Sequence, residues 1–229
     1  MVNNNIAVIP ARYGSKRVPH KNFKILGDKP LLTYTIEQAL RSRYLQQIVI
    51  STDFADIDKF LHGYDRSRII THIRPEALAG DLVTTEEVLL NVLDQEWAKG
   101  AEYVVTLPPT TPFRSTETID KCIELFLSKK ADSVLAVSGA KIRMGSFDPK
   151  TSEFSLAMKN PPAKMSEWPL TFFDNSSVYV TKSIVLRQKK FILGQKNYAV
   201  ATDKIQGHDI NDPVDWAFAE SLVEKGFVK

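Results

Sequence analysis

NIAVIPA at 5–11 runs without a break into RYGSKRVPHKN at 12–22, and this junction of an apolar run with a basic turn decides the fold. The apolar run is too short for a buried helix and is rich in the branched residues that suit a strand covered on both faces. Runs of the same kind recur as QIVIST (47–52), RIITHI (68–73), YVVTLP (103–108) and DSVLAVS (132–138). Between them lie PLLTYTIEQALRS (30–42), DIDKFLHGY (56–64), TTEEVLLNVLDQEWAKG (84–100) and TETIDKCIELFLSKK (116–130), where apolar residues return at three and four. Doubly buried strands alternating with amphipathic helices predict an α/β fold with a mostly parallel sheet and right-handed crossovers.

The alternation stops after Ser138. Residues 139–171 hold Gly139, Gly145, Pro149, Pro161, Pro162 and Pro169 and show no helical period, so they read as an arm inserted into one domain that spans 1–229. Two further β-rich runs, SSVYVT (176–181) and NYAVAT (197–202), return the chain to the sheet. A last helix is expected from Pro213, with Asp212 as N-cap, Asp215 three residues after the cap and Gly226 as its stop.

Composition narrows the classes. The chain is 43% apolar, enough to fill a core, and its formal net charge is only +3, so a polyanionic partner would need locally concentrated basic residues. Cys122 is the single cysteine, which excludes an internal disulfide and fits a reducing, cytoplasmic setting. The short run at 6–11 has no charged segment before it and reads as neither a signal peptide nor a membrane span. The histidines at 20, 62, 72 and 208 lack a metal-ligand spacing, and with one cysteine a zinc site is excluded.

The turn after the first run packs Arg12, Lys16, Arg17 and Lys21 within ten residues, the densest positive charge in the sequence. In open α/β sheets ligands bind beyond the carboxyl ends of the strands, so this turn is placed to hold a triphosphate; the alternative is a solvated surface loop. No Walker sequence and no G-x-G occur, so the phosphate loop is of neither the P-loop nor the dinucleotide kind. Nucleic-acid binding is disfavoured because the basic turn lacks an extended patch with interleaved aromatics.

IPARYGSKRVPHKNFKILGDKPLLTYTIEQAL (9–40), ISTD (50–53), RPEALAGDLVTT (74–85), LPPTTPFRSTETID (107–120) and HDINDPVDWAFAE (208–220) together resemble the CMP-N-acetylneuraminate synthetases and their relatives acting on legionaminic and pseudaminic acids. The resemblance covers nearly the whole chain. It implies a Rossmann-like nucleotidyltransferase sheet with helices on both faces and a dimerisation arm. It implies transfer of CMP from CTP to the anomeric hydroxyl of an acidic nine-carbon sugar of the sialic acid type. It also implies that Arg12 and Lys21 hold the phosphates, that Ser15 and Lys16 bind the nucleotide with them, that Asn22 helps fix it, and that Arg74, Thr84 and Thr85 lie near the cytidine. Asn175 matches a sugar-pocket asparagine. The synthetases it resembles are dimers whose arms reach the neighbour's site, which offers Lys164 to a partner's sugar. Read without the resemblance, Arg74 is equally an ion-paired structural residue, Asn175 a turn residue, and the arm a lid over its own subunit.

Such a transfer needs Mg²⁺, and the acidic turn Asp209, Asn211, Asp212 offers hard oxygen ligands. Asp209 is the first choice as ligand and catalytic residue; Asp212 is the second, in competition with its use as an N-cap. The family turn usually reads D-I-D, so Asn211 removes one carboxylate. Pro108 stands where the family has glutamine, and Phe173 where it often has arginine, so the sugar or the way its carboxylate is held differs from N-acetylneuraminate. A Kdo-type cytidylyltransferase and a CTP-binding protein that has lost turnover are the alternatives.

Overall fold

The core is set by the alternation of the first strand, β1 (Asn5–Pro10), whose Ile6 and Val8 pack on one face of the sheet and Ala7 and Ile9 on the other. In a computed structural model, which describes residues 5–228, a short hairpin of β2 (Ile25–Leu26) and β3 (Lys29–Pro30) follows. Then come α1 (Leu31–Arg41), β4 (Ile48–Thr52), β5 (Ile69–Ile73), α2 (Thr85–Leu93), β6 (Tyr103–Thr106), α3 (Thr116–Lys129) and β7 (Ser133–Ala140). The hairpin of β8 (Gly145–Asp148) and β9 (Glu153–Leu156) precedes β10 (Thr171–Lys182), α4 (Ser183–Lys189), β11 (Asn197–Thr202) and α5 (Pro213–Glu224).

Seven strands form one sheet in the order β11-β7-β10-β6-β1-β4-β5, parallel throughout except for β10, which runs antiparallel to both neighbours. Leu32, Ile36 and Ala39 of α1 and Ile119, Cys122 and Ile123 of α3 cover one face; Leu89 and Val92 of α2 and Leu186 of α4 cover the other. Trp216, Ala219 and Leu222 of α5 close a third cluster over Leu26, Leu31 and Phe113. The chain goes from β1 outward to β4 and β5, then returns through α2 to β6 on the opposite side of β1. The crossover direction reverses there, so a crevice opens between the carboxyl ends of β1 and β6.

Several elements differ from the sequence reading. Residues 55–60 form a 3-10 segment rather than a helix over 56–64, because Asp56 leaves helical dihedrals and Gly63 takes φ +86°. The helix expected over 84–100 ends at Leu93, followed by a separate 3-10 turn at 96–98 and Gly100 at φ +90°. β10 begins at Thr171, five residues before the run read as a strand, because a bulge between Asp174 and Tyr179 hides its first half from any period of two. Ser176 sits in that bulge at φ +59°, a left-handed conformation costly for a residue with a Cβ.

The excursion between Ala140 and Thr171 contains the β8–β9 hairpin, all of whose residues are exposed. Phe147 and Phe154 face each other across it at 60% and 54% exposure. Trp168 of the excursion is buried, with its indole N–H donating to the Pro162 carbonyl at 3.0 Å.

Candidate active site

The basic turn occupies the crevice at the reversal point. Its backbone is fixed before any ligand arrives: Asp53 at the end of β4 accepts from the Tyr13 amide at 2.6 Å, and the Asn22 side-chain amide donates to the Arg12 carbonyl at 2.8 Å. The Ser15 hydroxyl donates to the Val18 carbonyl at 2.7 Å and accepts from the Lys21 amide. Tyr13 stacks on Phe54 with centroids 4.4 Å apart, pinning the outer side of the turn. The ordered turn leaves its cations pointing into a cavity of about 270 Å³.

That cavity draws on five parts of the chain. Arg12, Ser15, Lys16, Arg17, Lys21 and Asn22 come from the turn after β1; Pro108, Pro109 and Thr110 from the loop after β6. Arg74 follows β5, and Thr84 and Thr85 open α2; Asn211 belongs to the acidic turn before α5. All eight residues expected to bind nucleotide therefore meet in one place. Asp209, Asn175 and Lys164 do not line this cavity.

Electrostatics sharpen the picture. Lys21 is largely buried and donates its ammonium to the Ile210 carbonyl; burial and the nearby Arg17 and Arg12 pull its pKa below the ordinary lysine value, against the field of Asp209. Arg74 is buried in the wall of the cavity. Its guanidinium donates from Nε to Ser51 Oγ at 3.0 Å and from a terminal nitrogen to the Ser51 carbonyl at 2.9 Å. The ion pair entertained for Arg74 is absent among the described residues, and desolvation lowers its pKa to about 10. Its positive charge is thus held by neutral acceptors and remains available to a ligand.

Arg12 and Lys16 both pair with Asp81 on the loop leading to α2, Arg12 at 2.5 Å. Asp81 lies in AGDLV, where no sequence signal sets it apart from any exposed acid. Thr84 is the N-cap of α2, and its hydroxyl is taken up in a reciprocal box with Glu87. Thr85, half-buried beside it, is the one of the pair whose side chain is not committed to the cap.

The acidic turn divides its roles. Asp212 Oδ1 accepts from the Val214 amide at 2.8 Å and the Asp215 amide at 3.1 Å, so through this oxygen Asp212 is the N-cap of α5. Asp209 has no such helix to cap. Its Oδ2 accepts from the Asn211 side chain at 3.0 Å, while Oδ1 is buried without a hydrogen-bond partner. An orphaned buried carboxylate oxygen beside this cationic cavity is a donor of the kind a hard divalent cation takes. Among the described residues no three acidic, histidine or cysteine side chains cluster as a metal cage.

Asn175, 3% exposed, has its amide fully engaged by the fold. It donates to Ser138 Oγ at 3.0 Å and Thr202 Oγ1 at 2.7 Å, and accepts from the Ser177 amide and hydroxyl. Here the structure departs from the sugar-pocket expectation: the side chain braces the β10 bulge. Lys164 is exposed on the arm, ahead of a short 3-10 turn. Among the described residues no helix is long and apolar enough to cross a membrane.

Comparison with known proteins follows the same geometry. The family model described as cytidylyltransferase matches residues 6–203. The chain is 32% identical over 228 residues to the CMP-N,N'-diacetyllegionaminic acid synthase of Legionella pneumophila, covering 96% of each chain. It is 28% identical over 223 residues to the N-acylneuraminate cytidylyltransferase of Escherichia coli, where it spans 96% of itself and 52% of that protein. A pseudaminic acid cytidylyltransferase of Campylobacter jejuni is 23% identical over 95% of both chains. Among solved structures, a CMP:2-keto-3-deoxy-manno-octonic acid synthetase complexed with CTP superposes with TM-score 0.69 at 14% identity, covering 97% of this chain and 99% of that one. A 4-diphosphocytidyl-2C-methyl-D-erythritol synthase from Anaerococcus prevotii gives TM-score 0.71 at 15% identity over 97% of both chains; both likenesses speak to the fold.

Proposed function

The chain belongs to the cytidylyltransferase family, and from that premise we propose that it transfers CMP from CTP to the anomeric hydroxyl of a sialic-acid-like nonulosonic acid, releasing pyrophosphate. The observation that carries this reading is the cavity in which Arg12, Lys16, Lys21 and Arg74 converge at the β1/β6 reversal point. The names of the relatives, which act on legionaminic, pseudaminic and neuraminic acids, supply the sugar class.

In this account Arg12, Lys16 and Lys21 hold the triphosphate, with Asp81 giving up Arg12 and Lys16 as phosphate arrives. Charge-assisted contacts of this kind are the strong ones, and the exposed Asp81 pairs they replace are worth little. Ser15 keeps the turn in shape. The Asn22 amide oxygen, buried without a hydrogen-bond partner, faces the nucleotide, and Arg74 and Thr85 stand beside the cytidine. Asp209 would hold Mg²⁺ through its unsatisfied oxygen, and the ion would supply positive charge to the triphosphate and to the α-phosphorus. The sugar hydroxyl attacks in line, and the protein contributes position and fixed charge rather than a covalent intermediate. Pairing of two chains through their arms brings Lys164 to the neighbour's sugar, while Asn175 shapes that pocket from behind through the β10 bulge.

A nucleotide panel tests the first half: with Mg²⁺ and the right sugar, CTP should support turnover, whereas UTP, ATP and GTP should fall far behind. Equal use of UTP would contradict the cytidine assignment. A Kdo-type acceptor is the second reading, and the sugar panel that separates the two closes the Discussion.

A further inference from the structure

Arg114 is the largest fully buried side chain of the molecule's described residues, 1% exposed, and its guanidinium meets neutral acceptors only. Nε donates to the Ser177 carbonyl on β10 at 2.6 Å, and one terminal nitrogen donates to Thr35 Oγ1 on α1 at 2.7 Å. The other terminal nitrogen donates to two groups of the loop after β6, the Pro108 carbonyl and Thr111 Oγ1, the latter at 2.5 Å. No ion pair satisfies it among the described residues, and burial lowers its pKa to about 9, with Asp209 as the acid whose field opposes that fall.

A buried guanidinium without a counterion is expensive, and apolar packing would fill the same gap at lower electrostatic cost. What the planar fork adds is geometry, because it fixes several acceptors at once. The loop that Arg114 grips is itself the anchor of the acidic turn: the Ile210 amide donates to the Thr110 carbonyl at 2.8 Å, and the Ile210 carbonyl receives the Lys21 ammonium. Three hydrogen-bonded links therefore run from Arg114 to the loop, from the loop to the acidic turn, and from that turn to Lys21.

We propose that Arg114 is the positioning residue of the transfer reaction, setting Lys21 and Asp209 against each other through the Pro108–Thr111 loop. The inference rests on the cytidylyltransferase reading given above. Arg114 touches no reacting atom; it decides where those that do are held.

Arg114→Lys keeps the positive charge but offers one ammonium where four acceptors were served. In folded enzyme, well below its melting temperature, kcat should fall by about tenfold or more with a several-fold higher Mg²⁺ requirement, while KM for CTP moves less than about threefold. A residue acting only on stability would lower the melting temperature and leave the kcat, KM and Mg²⁺ requirement of folded protein alone. Thr111→Val removes one loop acceptor with Arg114 intact and should shift kcat and the Mg²⁺ requirement in the same direction by a few-fold, about half the logarithmic effect. It decides the matter if the lysine variant does not fold. Folded variants with wild-type kcat and Mg²⁺ requirement overturn this inference alone. Failure of the wild-type chain to bind CTP by calorimetry overturns the reading beneath and this inference with it.

Discussion

Asp212 and Asp215 cap α5 reciprocally: Asp212 Oδ1 accepts from the Asp215 amide at 3.1 Å, and Asp215 Oδ2 accepts from the Asp212 amide at 3.2 Å. The pair satisfies the helix start, while Asp209 is the acid of the turn with a buried oxygen that no hydrogen bond satisfies. Asp212→Ala should therefore cost stability, by about 1 kcal/mol as for a typical lost N-cap, with the Mg²⁺ requirement unchanged. Asp209→Asn should nearly abolish turnover at ordinary Mg²⁺ with little change in melting temperature. A raised Mg²⁺ requirement in Asp212→Ala, at unaltered melting temperature, would return Asp212 to the metal site.

Arg12→Ala and Lys21→Ala each should lower kcat/KM for CTP by about a hundredfold, the loss expected when a charge-assisted phosphate contact of roughly 2 to 3 kcal/mol disappears. Folding should be unaffected by the first, since its partner Asp81 is exposed and such pairs contribute little. Steady-state kinetics with CTP varied at saturating sugar make the check, and near-normal values in both variants would remove the triphosphate from the basic turn.

Acid stability should depend on His72. Its ring is buried within 3.0 Å of Ser51 Oγ, the same hydroxyl that accepts from Arg74, and desolvation together with Arg74 depresses its pKa below the ordinary value. The folded state then binds this proton less readily than the unfolded chain. Stability is full above about pH 6.5 and falls as pH drops toward the depressed folded pKa, at up to about 1.4 kcal/mol per pH unit. Urea midpoints between pH 7.5 and 5 should fall more steeply for wild type than for His72→Gln, which carries no titrating ring; parallel curves would show that His72 is not responsible.

The exposed pair Phe147 and Phe154 at the centre of the β8–β9 hairpin predicts self-association through the arm. Sedimentation at micromolar concentration should give a dimer, converted to monomer by Phe147→Asp with Phe154→Asp; a wild-type monomer excludes the pairing. If the arms also share sites, mixing Lys164→Ala chains with Arg12→Ala chains should regenerate about one working site per mixed dimer, whereas no recovery would mean that each site is self-contained.

The sheet was readable from the sequence because its central strands β1, β4 and β6 are buried on both faces and stand out as unbroken apolar runs. The basic turn was readable because charge density directly after a strand has few other uses. What stayed hidden depends on contacts distant in sequence. The first half of β10 is masked by the bulge at Asn175 and Ser176, and α4 within KSIVLRQKK is too short to show a period. Arg114 looks like any surface arginine until α1, β10 and the loop after β6 close around it. Asn175 shows the converse: the resemblance implied a ligand contact, yet Ser138, Thr202 and Ser177 use its whole amide.

Pyrophosphate release from CTP and Mg²⁺ with a panel of acidic sugars tests the central claim most directly, with the product mass confirming the CMP linkage. The account predicts release with at least one nonulosonic acid among legionaminic, pseudaminic and neuraminic forms, giving a CMP-sugar, and far slower release with Kdo. Tight CTP binding without pyrophosphate from any nonulosonic acid, or release with Kdo alone, would contradict it.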